Sequence, residues 1–538
     1  MKTLFYHGSI ITMDETKPSA SAMCIENGRF IKIGTDEEMM AFQTADEKID
    51  LNGRTVLPGF LDAHSHFVGL ANSLMQCDLS SAENFDDIVS KMKAFIAENQ
   101  AEPGSRVYGC NYDHNFLREK RHPDKFVLDR ISGEHEIVIV HASSHMGCVN
   151  SLALQKNGIT ADTPDPEGGR YGRMAGSREP DGYMEENAFI RFQNQTSGFD
   201  QAKLLEMMKK AQDIYASYGV TTIQEGMVSK ELFSLLNYAA KAHLLKLDVA
   251  AYLDVQTCRE LFKEHPEYTD GCAAESDSNP YCNHLKIGGY KVFLDGSPQG
   301  RTAWMLEPYE GSEDCGYPVL SDERLHELIT GALEDKQQLL AHCNGDAAAE
   351  QYLTQFERVA GEHPEWDTMR PVMVHAQLVQ PAQLERMVPL GMIPSFFTAH
   401  TYYWGDIHLE NFGRKRAERI SPAHSAEKLG LPFTFHQDSP VLPPDMMRTV
   451  WCAVNRRTKN GVVLGKEERI SLEEALRAVT IHAAYQYHEE AQKGSITEGK
   501  NADFVILDRD PRAVPDEELA GIAVLETYKD GECIYRKL

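Results

Sequence analysis

Between residues 60 and 435 short apolar runs alternate with stretches of helical periodicity, and this alternation most restricts what the chain can become. Eight runs read as strands: Phe60 to His66, Val220 to Gln224, Leu247 to Leu253, Ile287 to Leu294, Leu339 to His342, Val372 to His375, Ile393 to Phe397 and Phe433 to Phe435. Strand–helix repetition of this kind builds a parallel α/β sheet, and eight units suit a (β/α)8 barrel, whose active site lies at the C-terminal strand ends. About 150 residues separate the first run from the second, too many for a structureless loop. An insertion subdomain over about 75–200 is therefore expected to lie partly across the barrel mouth.

Outside this core, short β-type runs fill both ends of the chain. Leu4 to Ile11, Ala20 to Glu26, Phe30 to Ile33 and Lys48 to Leu51 precede the first barrel strand; Ala502 to Leu507, Ile522 to Tyr528 and Ile534-Tyr535 follow the last. Neither set closes a core alone, so residues 1–56 and 491–538 are expected to meet in one small β-sandwich, with residues 57–490 as the barrel.

Reading only the ends of the barrel strands exposes the chemistry. The first supplies His64 and His66, the fourth Lys291, the fifth His342, the sixth His375, and the eighth leads into Asp438. In a strand, residues two apart share a face, so His64 and His66 can grip one ion. Imidazole suits zinc, copper, iron and nickel. One histidine at a strand end is ordinary; this series at one end of alternating strands is not.

These residues resemble the metal-dependent amidohydrolase superfamily, and within it the branch of YtcJ-like hydrolases and N-substituted formamide deformylases. The similarity is carried by Leu57 to His66, Ser144 to Ser151, Gly182 to Ala188, Lys291 to Ala303, His342 to Asp346 and Phe435 to Val441. Lys493 to Ile496 and Gly499 to Phe504 extend it into the tail. The resemblance implies that His64, His66 and Asp438 bind one metal ion and His342 and His375 a second, with Lys291 bridging them as a carbamate. The ion is expected to be Zn2+, one or two per chain, with another divalent metal as the alternative. An unmodified lysine has donors only and would repel a cation, so Lys291 is otherwise a substrate anchor beside a single ion. Asp438 is expected to act as general base and then general acid; Asp62 is a candidate acceptor for a ligand histidine. His145 and Glu186 match family positions and are candidates for substrate binding, His145 also for catalysis. Arg301 and Trp404 are candidate pocket residues. The chain departs from the family pattern at Val374, Cys148 and His436-Gln437, which is expected to alter the pocket and spare the metal site.

The implied reaction is hydrolysis of an amide, formamide or related C–N bond of a small molecule. Alternatives are deamination or ester cleavage on the same site, or a catalytically silent binding protein on the same fold. With 81 Asp and Glu against 54 Lys and Arg, a net charge of -27 repels nucleic acid and anionic membrane surfaces. The eleven cysteines lack Cys-x-x-Cys spacing, the N-terminus lacks a signal-peptide pattern, and no apolar run reaches bilayer length. A cytoplasmic protein with reduced thiols is expected, as a homodimer.

Overall fold

The computed structural model describes residues 2–40, 45–194, 201–268, 280–363 and 369–537. At its centre is a wholly parallel eight-stranded sheet. We number its strands β1 (Phe60–Leu61), β2 (Val220–Val228), β3 (Asp248–Asp254), β4 (Leu285–Phe293), β5 (Gln338–Cys343), β6 (Val372–His375), β7 (Ile393–Phe396) and β8 (Thr434–Phe435). They neighbour one another in sequence order. Just beyond β1 and β8 the edges are joined: Asp438 N–H donates to His64 O at 3.2 Å, and His66 N–H to Ser439 O at 2.8 Å. The sheet is thus barrel-like, with alternate residues such as Leu340, Val372 and Val374 packed inside and Leu339, Ala341 and Met373 packed under the outer helices. Helices between strands start on side-chain caps, as where Ser229 and Ser321 accept the N–H of Leu232 and Arg324.

All eight expected strands form, and the first is much shorter than expected. Pairing of β1 stops at Leu61, so His64 and His66 lie in the bend after the strand and not within it. The alternation argument does not place their rings; backbone bonds to Ser439 and from Gly226 do.

Strands from both ends of the chain make two further sheets. One orders Arg29–Gly34, Ala22–Glu26, Lys2–Tyr6 and Glu47–Asp50; the other orders Glu532–Arg536, Val524–Lys529, Phe504–Leu507, Thr55–Pro58, Ser9–Ile11 and Ser19–Ala20. Phe5, Met23 and Phe30 share one apolar cluster with Val56, Phe504 and Tyr528, so the sheets bury their inner faces on each other. Pairing is mixed: Lys2–Tyr6 runs parallel to Glu47–Asp50, and Ser9–Ile11 parallel to Thr55–Pro58.

The long segment after β1 builds its own six-stranded sheet, ordered Gly169–Arg173, Pro180–Glu186, Met146–Val149, Glu136–His141, Arg106–Tyr112 and Cys77–Asp78. Two apolar clusters cover its faces. Residues 195–200, at the end of the expected insertion, lie outside the described residues. Among the described residues no helix is long and apolar enough to cross a membrane. Among the described residues nine cysteines are free thiols and Cys282 is disulfide-bonded. That departs from the expectation of reduced thiols throughout, because spacing along the chain does not show which sulfurs meet in space.

Candidate active site

The mouth of the eight-stranded sheet gathers six of the side chains singled out from sequence. Asp438 stands between the two histidines of the first strand end: His64 Nε2 and His66 Nε2 each lie 3.5 Å from its Oδ1. Lys291 Nζ, fully buried, lies 3.3 Å from His64 Nε2. His375 Nε2 is 3.9 Å from Asp438 Oδ2 and 3.1 Å from His342 Nδ1.

Their orientation is fixed from behind. His64 Nδ1 meets Gln224 Oε1 at 2.5 Å, and His66 Nδ1 donates to Gly226 O at 2.9 Å; both partners are on β2. Asp62 is not the acceptor for either Nδ1, because Gln224 and Gly226 occupy those positions. His342 Nε2 faces Gly296 O at 3.3 Å and Asn344 Nδ2 at 3.1 Å. The other ring nitrogen of His375 meets His436 Nε2 at 3.1 Å, and His436 Nδ1 lies 2.9 Å from Ser395 Oγ. His436 departs from the family pattern, and it follows β8 directly; only the fold shows that it stands behind His375.

Burial sets the electrostatics. It depresses His64, His342 and His375 well below the usual histidine range, with the charge of Lys291 adding for His64 and that of His145 for His342. These rings are therefore neutral, with lone pairs to give. Lys291 is brought down to about 7 by burial, so much of it is neutral amine at physiological pH. Burial raises Asp438 from its ordinary value, opposed by His66 and Lys291.

The donor set fits a divalent ion. Asp438 Oδ1 is buried and accepts no hydrogen bond among the described residues, although two neutral imidazole nitrogens face it. A buried carboxylate oxygen left this way is costly unless a cation completes it. His64, His375 and Asp438 also place one ligand atom each within 4.8 Å of the others.

The insertion delivers a further pair. His145 Nδ1 donates to Glu186 Oε2 at 2.7 Å, and the His145 ring lies 4.7 Å from that of His342. Burial disfavours a charged His145, but the Glu186 carboxylate outweighs it and raises the ring's pKa. Glu186 itself is almost wholly buried against Gly296, not solvated on a helix face.

Arg301 and Trp404 are not brought to the ligand cluster. Arg301 is exposed, and its Nε donates to Asn411 Oδ1 at 2.9 Å. Trp404 is buried, and its Nε1 donates to Asp113 Oδ2 at 2.8 Å, in a histidine-rich group that sequence reading passed over. Asp295 on the loop after β4 also went unnoticed. It accepts the backbone N–H groups of Asn344, Gly345 and Trp304 at 2.9, 2.7 and 3.0 Å and so holds the loop that carries His342's neighbours.

Known proteins are similar to this chain along most of its length. The chain is 26% identical to N-substituted formamide deformylase of Arthrobacter pascens over 99% of this chain and 98% of that protein. It is 27% identical to the putative amidohydrolase YtcJ of Bacillus subtilis over the whole of both. Protein LONG AFTER FAR-RED 3 of Arabidopsis thaliana is 26% identical over 99% of this chain and 91% of that one. An uncharacterized metal-dependent hydrolase from Pyrococcus horikoshii superposes with a TM-score of 0.76 at 24% identity, covering 96% of this chain and 99% of that chain, which shows the shared fold. Residues 47–535, nearly the whole chain and every strand of the central sheet, match the model of the amidohydrolase family, and the protein belongs to that family.

Proposed function

We propose that this protein is a metal-dependent hydrolase that cleaves a C–N bond of a small molecule, with N-substituted formamides and related amides as its substrate class. One observation carries the reading: neutral histidines, a buried lysine and an aspartate whose Oδ1 lacks a hydrogen-bond partner among the described residues converge at the C-terminal strand ends. The formamide class is supported by the full-length similarity to a protein named for that activity.

His64, His66 and Asp438 would hold one ion, His342 and His375 a second, and Lys291 would join them as a carbamate. With its pKa near 7, the Lys291 amine has a lone pair free to attack CO2. The N–C bond forms as one C=O π bond of CO2 opens onto oxygen, the nitrogen loses a proton to solvent, and an anionic carboxylate replaces the neutral amine. A bound divalent ion would polarise the scissile carbonyl and lower the pKa of water toward roughly 7. The protein's own part is proton traffic and orientation. Asp438, raised by burial, takes the proton of the attacking water at its carboxylate and returns it to the leaving nitrogen. His145, whose protonated form Glu186 favours, would offer a donor to the carbonyl oxygen as negative charge grows there. The insertion that supplies His145 would cover the mouth and exclude water.

The test is elemental analysis beside a substrate panel of formamides, amides, esters and aminopurines. Expected are about two equivalents of zinc-like metal per chain, one or none in Lys291→Ala, and turnover of formamides. Metal-free protein after reconstitution overturns the reading. A metallated protein that turns over only aminopurines makes it a deaminase instead.

A further inference from the structure

The insertion carries a second cluster of ligand-type side chains, separate from the one at the strand ends of the central sheet. Arg106–Tyr112 and Glu136–His141 are adjacent parallel strands, with Tyr112 opposite His141. Asp113 and His114 follow the first strand and His141 ends the second, so three donors meet at one sheet end. His114 Nδ1 lies 3.2 Å from His141 Nε2; Asp113 Oδ1 lies 3.4 Å from His141 Nε2 and 3.9 Å from His114 Nδ1. A triangle with these sides has a circumradius of about 2.05 Å, the usual distance from zinc to imidazole nitrogen or carboxylate oxygen. One point is thus at bonding distance from all three atoms without moving any of them.

The surroundings orient the donors as supports of metal ligands do. Trp404 Nε1 holds the other oxygen of Asp113 at 2.8 Å, and Asn115 donates to Oδ1 through N–H at 2.9 Å and Nδ2 at 3.0 Å. Ser143 Oγ, 2.9 Å from His141 Nδ1, can accept that nitrogen's proton and leave Nε2 free; Ser143 N–H, 3.1 Å from the same nitrogen, bonds it in the other tautomer. The side chains of His141 and Asp113 are 0% and 6% exposed and that of His114 16%, a buried site with one open edge. Nearby cations are engaged elsewhere: Arg301 with Asn411, Lys120 with the carbonyl of Asn115, and Lys459 over the Phe116 ring.

We propose that Asp113, His114 and His141 bind a divalent transition-metal ion of the zinc type, distinct from the ions at the central site. Two imidazoles and one carboxylate are a zinc-like donor set, and three protein ligands leave a coordination position for water or a small-molecule donor. Through Asp113 and Trp404 the ion fastens the insertion to the segment after β7. The site shares no ligand with the central one.

The experiment compares metal content after equilibrium dialysis against cobalt(II) followed by gel filtration, in wild type, His114→Ala/His141→Ala and His64→Ala/His66→Ala. The first pair is expected to hold one equivalent fewer than wild type and to melt at lower temperature only when cobalt is present. The second is expected to keep that cobalt-dependent rise in melting temperature. A folded His114→Ala/His141→Ala protein with wild-type metal content overturns the proposal. Should that pair fail to fold, Asp113→Asn, which keeps the shape of the cluster, is read in the same way. Retention of all cobalt by this variant, or its complete loss from every protein on gel filtration, also overturns it.

Discussion

His375 shows how a single residue can override the pattern around it. In β6, Val372 and Val374 face the barrel interior and Met373 faces out, so strict alternation would turn His375 outward. Its φ of 73°, followed by 42° at Ala376, breaks the strand and swings the ring into the mouth, where His436 receives it. Positive φ at a β-adjacent histidine is strained and persists only where surroundings over-determine it. His145 depends equally on one neighbour. Below pH 6.5 the ring would be protonated folded or unfolded, and its pairing with Glu186 stabilises fully; this support fades as pH climbs through the raised folded value. Relative to Glu186→Gln, the wild-type protein is therefore expected to gain melting temperature below pH 6.5 and to lose that advantage at alkaline pH. A pH-independent difference would exclude the charged pair. Replacing His145 by Ala is expected to lower kcat by about 10²–10³-fold, the usual loss for one donor to a developing oxyanion, with metal content unchanged.

At the scale of elements, the site depends on where strands stop. β1 ends at Leu61, short of His64, and β2 runs on to Val228, so β2 becomes the wall against which His64 and His66 lean. Gly226 makes this possible. A Cβ there would stand 2.9 Å from His64 Cε1 and 3.2 Å from His66 Cε1, within van der Waals overlap of the first ring. Gly226→Ala is expected to leave the fold intact, since the backbone at Gly226 needs no special φ, and to weaken metal binding by about 10–100-fold, as disturbed support of metal ligands commonly does. Metal titration with a competing chelator measures this; an unchanged affinity would mean that the histidines are not held by this contact.

The whole molecule is tied together at the opposite end of the barrel. Lys493 Nζ reaches Asp248 Oδ2 at 2.5 Å and Glu489 Oε2 at 2.8 Å, and Lys529 reaches Asp248 at 3.0 Å and Asp503 at 3.2 Å. All five are buried, and Lys286 pairs with Glu489 beside them. Asp248 opens β3 and Lys286 lies at the start of β4, while Asp503 and Lys529 border the terminal sheets, so the network joins the two bodies through charge in a dry setting. This gives the tail motifs around Lys493 and Asp503 a physical role. Lys493→Met removes one cation from a balanced buried set and is expected to destabilise the protein by about 3–5 kcal/mol, read as a lower melting temperature that added salt does not reproduce in wild type. Stability equal to wild type would show the network to be dispensable.

The sequence by itself determined the class of sheet, the number and order of its strands, and which residues stand at their ends. Those follow from periodicities of two and 3.6 residues, which are local properties of the chain. Strand order along the sheet needed nothing more than consecutive parallel units. The partners that turn each ring were decided only in three dimensions, because hydrogen bonds such as His64 to Gln224, 160 residues apart, leave no mark on local pattern. Asp113, His114 and His141 were overlooked for the same reason, being separated by 27 residues and gathered by the pairing of two strands. Trp404 stands out in the sequence as a pocket residue, and only the fold shows that its indole N–H goes to Asp113. Local pattern specifies elements; the long-range packing that closes the barrel and lays the insertion beside its mouth specifies which side chains share a site.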